Sequence, residues 1–172
     1  MGGKIMGILG YGRIGKAIAK RAEAFGMRIV YHGRKPQADV AHKYYADLTE
    51  MARDCDVLVA ICPGGAATRH IVNAEVMQAL GPEGTLINVA RGSVVDEQAL
   101  VQALSDGSLG AAGLDVFESE PKVPEALFAM DQVVLQPHVA SATHETRMAM
   151  GVLTADNLRA HFAGRPVLTP VA

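Results

Sequence analysis

The segment ILGYGRIGKAIAKRA, residues 8–22, contains two overlapping glycine patterns that predict different phosphate sites. Its three glycines form G-x-G-x-x-G, the turn that binds dinucleotides, while the first and last of them, followed by Lys16, also form G-x-x-x-x-G-K, the start of a P-loop. A P-loop needs Ser or Thr directly after its lysine to bind magnesium, and here Ala17 follows. The segment therefore favours a dinucleotide over a nucleoside triphosphate.

The residues around these glycines supply the strand and the helix that a dinucleotide turn requires. A short apolar run, residues 4–10, ends at the first glycine, and residues 14–25 then place apolar side chains at helical spacing. In such a turn Gly10 makes the bend, Gly12 lets the backbone approach a pyrophosphate, and Gly15 lets the helix pack on the strand. The N-terminus of the helix then faces the phosphates.

Short apolar runs alternate with helical segments along the rest of the chain. The runs lie at residues 28–32, 56–61, 84–90, 110–116 and 132–136, with a weaker one at 44–46. The helical segments lie at 47–54, 73–80 and 96–105, the second opening on Asn73, the third opening on Asp96 and closing at Gly107. Each run reads as a strand buried on both faces, and this alternation is typical of a parallel, doubly wound sheet. The sequence predicts an α/β Rossmann fold of about seven strands.

The last part of the chain has a different character. Residues 141–162 form one long helical stretch, stopped by Gly164 and Pro166, which is too long for a routine crossover. We expect this helix to pack against something outside the domain formed by residues 1–172.

Composition narrows the class of protein. With 172 residues, 49% of them hydrophobic, and a formal net charge of −2, the chain is suited to one domain and gives no electrostatic reason to expect a nucleic-acid partner. No membrane span or signal segment is visible, so a cytosolic location is expected. The two cysteines, Cys55 and Cys62, lie beside apolar runs and are predicted to be buried thiols rather than a disulfide or a metal pair.

The residues after the second strand indicate which dinucleotide is preferred. An NAD-specific site carries an acidic residue about 20 residues beyond the glycines, but here Gly33, Arg34 and Lys35 stand at this place and the next acid is Asp39. Two cations would bind the 2′-phosphate of NADP(H) by charge-assisted hydrogen bonds. NADP(H) is therefore the predicted cofactor, with NAD(H) still possible; the alternative is a pair of solvated surface cations.

Three polar residues follow predicted strands, at the edge where open α/β sheets place their sites. Arg91 follows the run LINVA, Glu120 lies in the loop after GLDVF, and His138 follows VVLQP. Taken singly, each has a plainer interpretation: a loop salt bridge, a solvated carboxylate and a partly buried histidine.

Four motifs in order strengthen the functional interpretation. GYGRIG, NVARGSVVDEQAL, GLDVFESEP and QPHVASATHETR together resemble the D-isomer-specific 2-hydroxyacid dehydrogenase family, and the resemblance extends over nearly the whole chain. Within that family, YHGRKP, CPGGAATRHIVN and NLRAHFAGRPVLTPV look most like the NADPH-preferring glyoxylate, hydroxypyruvate and hydroxyphenylpyruvate reductases.

This resemblance implies a role for each of the three polar residues. Arg91 would bind the carboxylate and carbonyl oxygen of the substrate, and His138 would donate a proton to the carbonyl as hydride arrives from the nicotinamide. Glu120 would hydrogen-bond the imidazole and favour its protonated form. Glu118 competes for this last role, but the family places its acid directly before a proline, as Glu120 stands before Pro121.

The resemblance also implies a set of cofactor contacts. Backbone N–H groups of Arg13 and Ile14 would bind the pyrophosphate, and the loop at Cys62 and Pro63, together with Thr68, would border the riboses. The nicotinamide would be lined by Val89, Ala90 and Asp115. The remaining cofactor contacts would be Arg91, His138 and Ala140. No histidine arrangement predicts a metal site.

Members of the family that the chain resembles carry a second, discontinuous substrate domain. The first residues, MGGKIMGILG, are similar to the family's entry to the cofactor domain. We expect the substrate domain to be absent here, so that the chain binds NADPH but turns over a small 2-oxoacid or 2-hydroxyacid poorly. A homodimer formed through the cofactor domains, with the long helix in the contact, is also expected. The alternatives are a nucleotide-sensing module similar to a corepressor and an inactive truncated fragment.

Overall fold

The computed structural model describes residues 2–170, which form a parallel β-sheet with α-helices between its strands. The strands are β1 Ile5–Leu9, β2 Arg28–His32, β3 Lys43–Tyr45, β4 Val57–Ala60, β5 Thr85–Asn88, β6 Ala111–Leu114 and β7 Val133–Leu135. The α-helices are α1 Arg13–Ala24, α2 Leu48–Asp54, α3 Ala74–Leu80, α4 Glu97–Asp106 and α5 His144–Phe162. Short 3-10 helices, which the sequence did not predict, occur at Ala66–Thr68, Gly92–Val94 and Glu125–Ala129.

The strand order confirms the predicted doubly wound sheet. The seven strands lie in the order β3-β2-β1-β4-β5-β6-β7, and every neighbouring pair is parallel. The chain runs outward in one direction from β1 to β3 and in the other from β4 to β7. The order therefore reverses between β1 and β4, and a crevice at such a reversal is where sheets of this kind bind ligands.

The two faces of the sheet carry separate apolar clusters. On one face Leu9 and Val30 pack with buried side chains of α2, α3 and α4. On the other face Ile8, Ile29 and Tyr31 pack with Ala19 and Ala22 of α1. Because successive side chains of a strand point to opposite faces, neighbouring residues such as Ile8 and Leu9 serve different layers.

The helix boundaries follow from capping side chains. Asp47, Asn73 and Asp96 each accept a hydrogen bond from the backbone N–H three residues later, at 2.8, 3.0 and 3.1 Å, so each caps a helix that begins at the next residue. Gly107 ends α4 in the left-handed conformation with φ of 76°, as the sequence predicted.

The prediction that each strand is buried on both faces is wrong for β7. Val134, at the centre of this strand, is 61% exposed, while β4 and β1 are largely buried. The physical reason is position, because β7 lies at the edge of the sheet and pairs only with β6.

Both cysteines are buried, as predicted, and carry free thiols. Burial raises the pKa of Cys55 to about 12 and also raises the pKa of Cys62. The reactive thiolate is therefore disfavoured at both positions.

The chain falls into two compact units, the first ending at Pro137 and the second beginning at His138. The prediction of one domain over residues 1–172 stays a prediction. In the second unit, α5 begins at His144 rather than at 141, because Thr143 caps it by accepting the N–H of Thr146 at 3.2 Å. Within residues 2–170, no helix combines the length and the apolar character needed to cross a membrane.

Candidate functional site

The glycine turn lies directly after β1 and is packed so tightly that two of its residues tolerate no side chain. Gly10 has a φ of 101°, and a Cβ added there would lie 2.6 Å from Cα of Cys62. A Cβ at Gly15 would overlap the carbonyl oxygen of Gly10. These glycines let the turn contact the loop after β4 and let α1 pack on the turn.

Gly12 differs, because open space lies in front of it. It is the N-cap of α1, it offers no side-chain cap, and a Cβ added there would meet nothing within 4 Å. The first turn of α1 contains no acidic residue, and Arg13 and Ile14 are exposed. Backbone N–H groups at a helix N-terminus and the positive end of its dipole favour an anion. The space therefore fits the pyrophosphate of a dinucleotide.

The loop after β4 forms the other side of this crevice. β1 and β4 are the neighbours between which the strand order reverses, and Cys62 and Pro63 follow β4 as Gly10 follows β1. The Thr68 hydroxyl donates a hydrogen bond to the Pro63 carbonyl oxygen at 2.7 Å, which closes this loop on itself. The residues predicted to contact the pyrophosphate and the riboses thus lie together, where the strand order reverses between β1 and β4.

Gly33, Arg34 and Lys35 directly follow β2, and both cationic side chains are exposed. Gln37 holds this segment against the glycine turn, since its side-chain amide donates to the Tyr11 carbonyl oxygen at 2.7 Å. No pattern in the sequence predicts this contact.

Asp39, the next acid along the chain after Lys35, is paired with another cation. Asp39 Oδ2 lies 3.3 Å from Nζ of Lys16 on α1, and both side chains are well exposed. The charge balance at the end of β2 is therefore set by Arg34 and Lys35, which suits a phosphate better than a pair of ribose hydroxyls.

Arg91 follows β5, and a buried amide fixes the backbone around it. Asn88, only 2% exposed, donates from Nδ2 to the Arg91 carbonyl oxygen at 3.1 Å and accepts the Ala90 N–H at 3.1 Å. Val89 lies between them and donates its N–H to the Ala60 carbonyl oxygen at 3.2 Å. This supporting role of Asn88 could not be predicted, because an asparagine inside an apolar run carries no distinctive signal.

Asp115 and Glu120 lie in the loop that follows β6. Asp115 is buried, and its N–H donates to the Asn88 carbonyl oxygen at 3.0 Å, which places it beside the end of β5. The Phe117 N–H donates to Oε1 of Glu120 at 3.0 Å. The first contact joins the residue after β6 to the end of β5, and the second lies within the loop after β6.

Glu118, the competitor of Glu120, is bound to the loop after β4. Its Oε1 lies 2.7 Å from Nη2 of Arg69 and 3.0 Å from Nε2 of His70. The hydrogen bond from His70 lowers the pKa of Glu118 most, partial burial opposes this, and Arg69 lowers the pKa further. The carboxylate of Glu118 is thus already paired with two side chains of the loop after β4. The choice of Glu120 as the partner of the imidazole stays a prediction.

His138 and Ala140 belong to the second unit. His138 has a φ of 55°, in the left-handed region that residues other than glycine rarely adopt, and such backbone is concentrated at functional sites. The place of both residues beside a nicotinamide stays a prediction. Over residues 2–170 the structure contains no group of three or more side chains that could hold a metal ion.

A parallel doubly wound sheet, a glycine turn at a helix N-terminus and loops converging at the strand reversal define a dinucleotide-binding domain. Residues 1–140 match the family described as "D-isomer specific 2-hydroxyacid dehydrogenase, NAD binding domain". The chain belongs to this family, as the order of its motifs predicted.

Its relatives are reductases. The chain is 57% identical over 169 residues to glyoxylate/hydroxypyruvate reductase A of Arabidopsis thaliana. It is 54% identical over 169 residues to hydroxyphenylpyruvate reductase of Plectranthus scutellarioides. Each alignment covers 98% of this chain and 54% of the relative. Among solved structures, it is similar to the NADPH-dependent glyoxylate/hydroxypyruvate reductase of Sinorhizobium meliloti in complex with NADP and malonate, with a TM-score of 0.96 and 55% identity over 99% of this chain and 53% of that chain.

The chain spans about half the length of the curated relatives that it matches. The relatives named here are reductases, and none of them is described as a corepressor.

Proposed function

We propose that the chain binds NADP(H) across the carboxyl edge of the sheet. The observation that carries this proposal is the space in front of Gly12, where the N-terminus of α1 faces an opening that a Cβ would enter without touching the protein. Arg34 and Lys35 supply the charge for a 2′-phosphate, and each such charge-assisted hydrogen bond contributes about 1.5–3 kcal/mol. The bound NADP of the similar Sinorhizobium meliloti reductase supports this choice of cofactor.

We propose further that the whole protein reduces a small 2-oxoacid, with glyoxylate and hydroxypyruvate as the first candidates. When bound, the cofactor supplies a hydride to the carbonyl carbon. The planar guanidinium of Arg91 binds the substrate carboxylate and carbonyl oxygen, because it stays charged at neutral pH and donates in a fixed geometry. His138 holds the proton that goes to the carbonyl oxygen, and Glu120 orients the imidazole.

This mechanism is tested in the full-length protein that contains this chain. The variant His138→Gln is expected to lower kcat for NADPH oxidation with glyoxylate or hydroxypyruvate by about 10²–10⁴-fold, the usual contribution of a general acid. The Kd of NADPH should change much less than kcat, because His138 is only one of many predicted cofactor contacts. Wild-type kcat in this variant would contradict the role of His138, and lack of activity in the wild type with any 2-oxoacid would contradict the reaction.

For this chain by itself we propose cofactor binding with slow turnover, because it spans only about half of its relatives. Steady-state NADPH oxidation with glyoxylate, by this chain and by the full-length protein, separates the two cases. Equal kcat values would contradict the proposal.

We also propose a homodimer that uses α5. This helix exposes a set of apolar side chains, namely Met148, Met150, Val152, Leu153, Leu158 and Phe162. Apolar side chains exposed along one helix are accessible to a partner, and contiguous exposed apolar surface marks protein interfaces. Light scattering should give twice the monomer mass of 18.1 kDa for the chain and the monomer mass for the variant Met148→Glu, Val152→Glu.

A further inference from the structure

Three loops at the carboxyl edge of the sheet are in direct contact. They are the ribose loop, residues 62–70; the arginine loop, residues 91–96; and the acid loop, residues 117–120. A Cβ at Gly64 would lie 2.8 Å from Cγ of Arg91, and a Cβ at Gly92 would overlap the Phe117 carbonyl carbon. The arginine loop is thus packed between the other two.

Backbone hydrogen bonds join the end of the ribose loop to the arginine loop. The His70 N–H donates to the Ser93 carbonyl oxygen at 2.8 Å, and two residues later the Val72 N–H donates to Val94 at 3.1 Å. A short parallel bridge between Val72 and Val95 continues this pairing. Hydrogen bonds to the arginine loop therefore hold the backbone at His70 in place.

His70 is held in an unusual conformation that directs its side chain between two carboxylates. Its φ of 49° lies in the left-handed region, which costs a residue other than glycine of order 1 kcal/mol. Nε2 lies 3.0 Å from Oε1 of Glu118, and Nδ1 lies 4.0 Å from Oδ2 of Asp96. Because an ionised carboxylate only accepts, Nε2 donates to Glu118.

Glu118 is bound on both sides. Its carboxylate accepts from Arg69 at 2.7 Å as well as from His70, while its backbone N–H donates to Oε2 of Glu97 on α4 at 3.1 Å. The ionisable groups that meet here are Arg69 and His70 on the ribose loop and Asp96, Glu97 and Glu118 facing them. None of these residues belongs to the predicted cofactor or substrate contacts.

We propose that Arg69, His70 and Glu118 form a clasp that holds the ribose loop against the acid loop before the cofactor binds. These three are positioning residues, and the proposal rests on the proposed binding of NADP(H) at this edge. A loop ordered in advance loses less conformational freedom on binding, so the clasp raises the affinity for the cofactor without touching it. It also ties the position of Thr68 to that of Glu120.

The clasp is tested first in the cofactor-free chain by backbone hydrogen exchange. In the variant Glu118→Gln, which keeps the shape and removes the charge, exchange of the His70 and Val72 amides should rise about threefold to fivefold, in the range expected for loss of a partly exposed ion pair. The variant Glu83→Gln is the matched control, since this exposed glutamate precedes β5 at the opposite edge of the sheet. Unchanged exchange in Glu118→Gln would overturn the clasp, whether or not the chain binds NADPH.

Cofactor affinity supplies the second arm. The Kd of NADPH should rise about threefold to fivefold in Glu118→Gln and in Arg69→Met, and stay near the wild-type value in Arg69→Lys. The double variant should be no weaker than Glu118→Gln alone, because that variant already removes the ion pair with Arg69. A residue with a merely structural role would lower Tm and leave the Kd of the folded chain unchanged, and that result would overturn the proposal. If the wild type itself binds no NADPH, the proposed function fails, and the exchange measurement still decides on the clasp.

Discussion

Gly12 and Gly15 lie three residues apart in one turn, yet a methyl group has a different effect at each. A Cβ at Gly12 projects into open space, whereas a Cβ at Gly15 overlaps the Gly10 carbonyl oxygen. For Gly12→Ala we expect a loss of about 1 kcal/mol or less in unfolding free energy, because alanine is only a poorer N-cap. The Kd of NADPH should rise at least about tenfold, since the methyl group enters the space for the pyrophosphate.

Gly15→Ala is the matched control for this prediction. We expect it to lower Tm more than Gly12→Ala does, because the helix must move away from the turn. Calorimetric titration and thermal unfolding of both variants give the two readouts. An unchanged Kd in Gly12→Ala would place the pyrophosphate elsewhere.

The two ends of β2 offer a matched test of the phosphate-binding cations. Arg34 follows the carboxyl end of this strand, while Arg28, also exposed, begins it at the opposite edge of the sheet. Arg34→Ala should weaken NADPH about tenfold or more and leave the affinity for NADH nearly unchanged, because only NADPH carries the 2′-phosphate. Arg28→Ala, with the same loss of charge, should change neither. Equal weakening of both cofactors by Arg34→Ala would argue against a 2′-phosphate contact.

Glu118 gives the stability of the chain a predictable dependence on pH. Its pKa is lowered in the folded state, first by the hydrogen bond from His70 and further by Arg69. Its contribution to stability is therefore present above the ordinary glutamate pKa of about 4.3 and is lost as pH falls through the lower folded value. The Tm difference between wild type and Glu118→Gln should shrink between about pH 6 and about pH 3. A constant difference over this range would contradict the ion pairing.

At the scale of the element, α3 depends on its cap. Asn73 accepts the Val76 N–H at 3.0 Å, and α3 buries Val76, Met77 and Leu80 in the core. Asn73→Ala should cost about 1 kcal/mol, or a fall in Tm of about 2–4 °C for a chain of this size. Asn73→Asp retains a cap and should stay close to wild type. Equal Tm values for Asn73→Ala and wild type would show that the cap does not stabilise this helix.

Most elements could be predicted because their signals are local. Alternating apolar runs marked the strands, and Asn73, Asp96 and Gly107 marked helix ends, since a cap depends on residues within one turn. The start of α5 was placed too early, because serine and threonine occur at 141, 143 and 146 and sequence alone does not tell which of them caps.

Contacts between distant loops could not be predicted. Arg69 and Glu118 lie 49 residues apart, so no pattern of spacing pairs them. The predicted site residues come from motifs, but the groups that hold them, such as Asn88 and Gln37, look ordinary in the sequence. Which face of an edge strand is covered also depends on the whole sheet, as Val134 illustrates.

At the scale of the whole molecule, the first compact unit has an apolar core of its own. Its sheet carries a buried cluster on each face, and both clusters lie within the first compact unit. A chain of about this length buries roughly 70% of its unfolded surface. Cofactor binding can therefore be measured directly on the 172-residue chain.

We propose above all that one NADP(H) molecule spans the glycine turn and the two cations after β2, Arg34 and Lys35. The most direct test is calorimetric titration of the chain with NADPH and with NADH, supported by thermal unfolding. We predict that NADPH binds at least about tenfold more tightly than NADH and, at 100 times its Kd, adds about 2.7 kcal/mol to the unfolding free energy. Lack of NADPH binding, or equal Kd values for the two cofactors, would contradict the account.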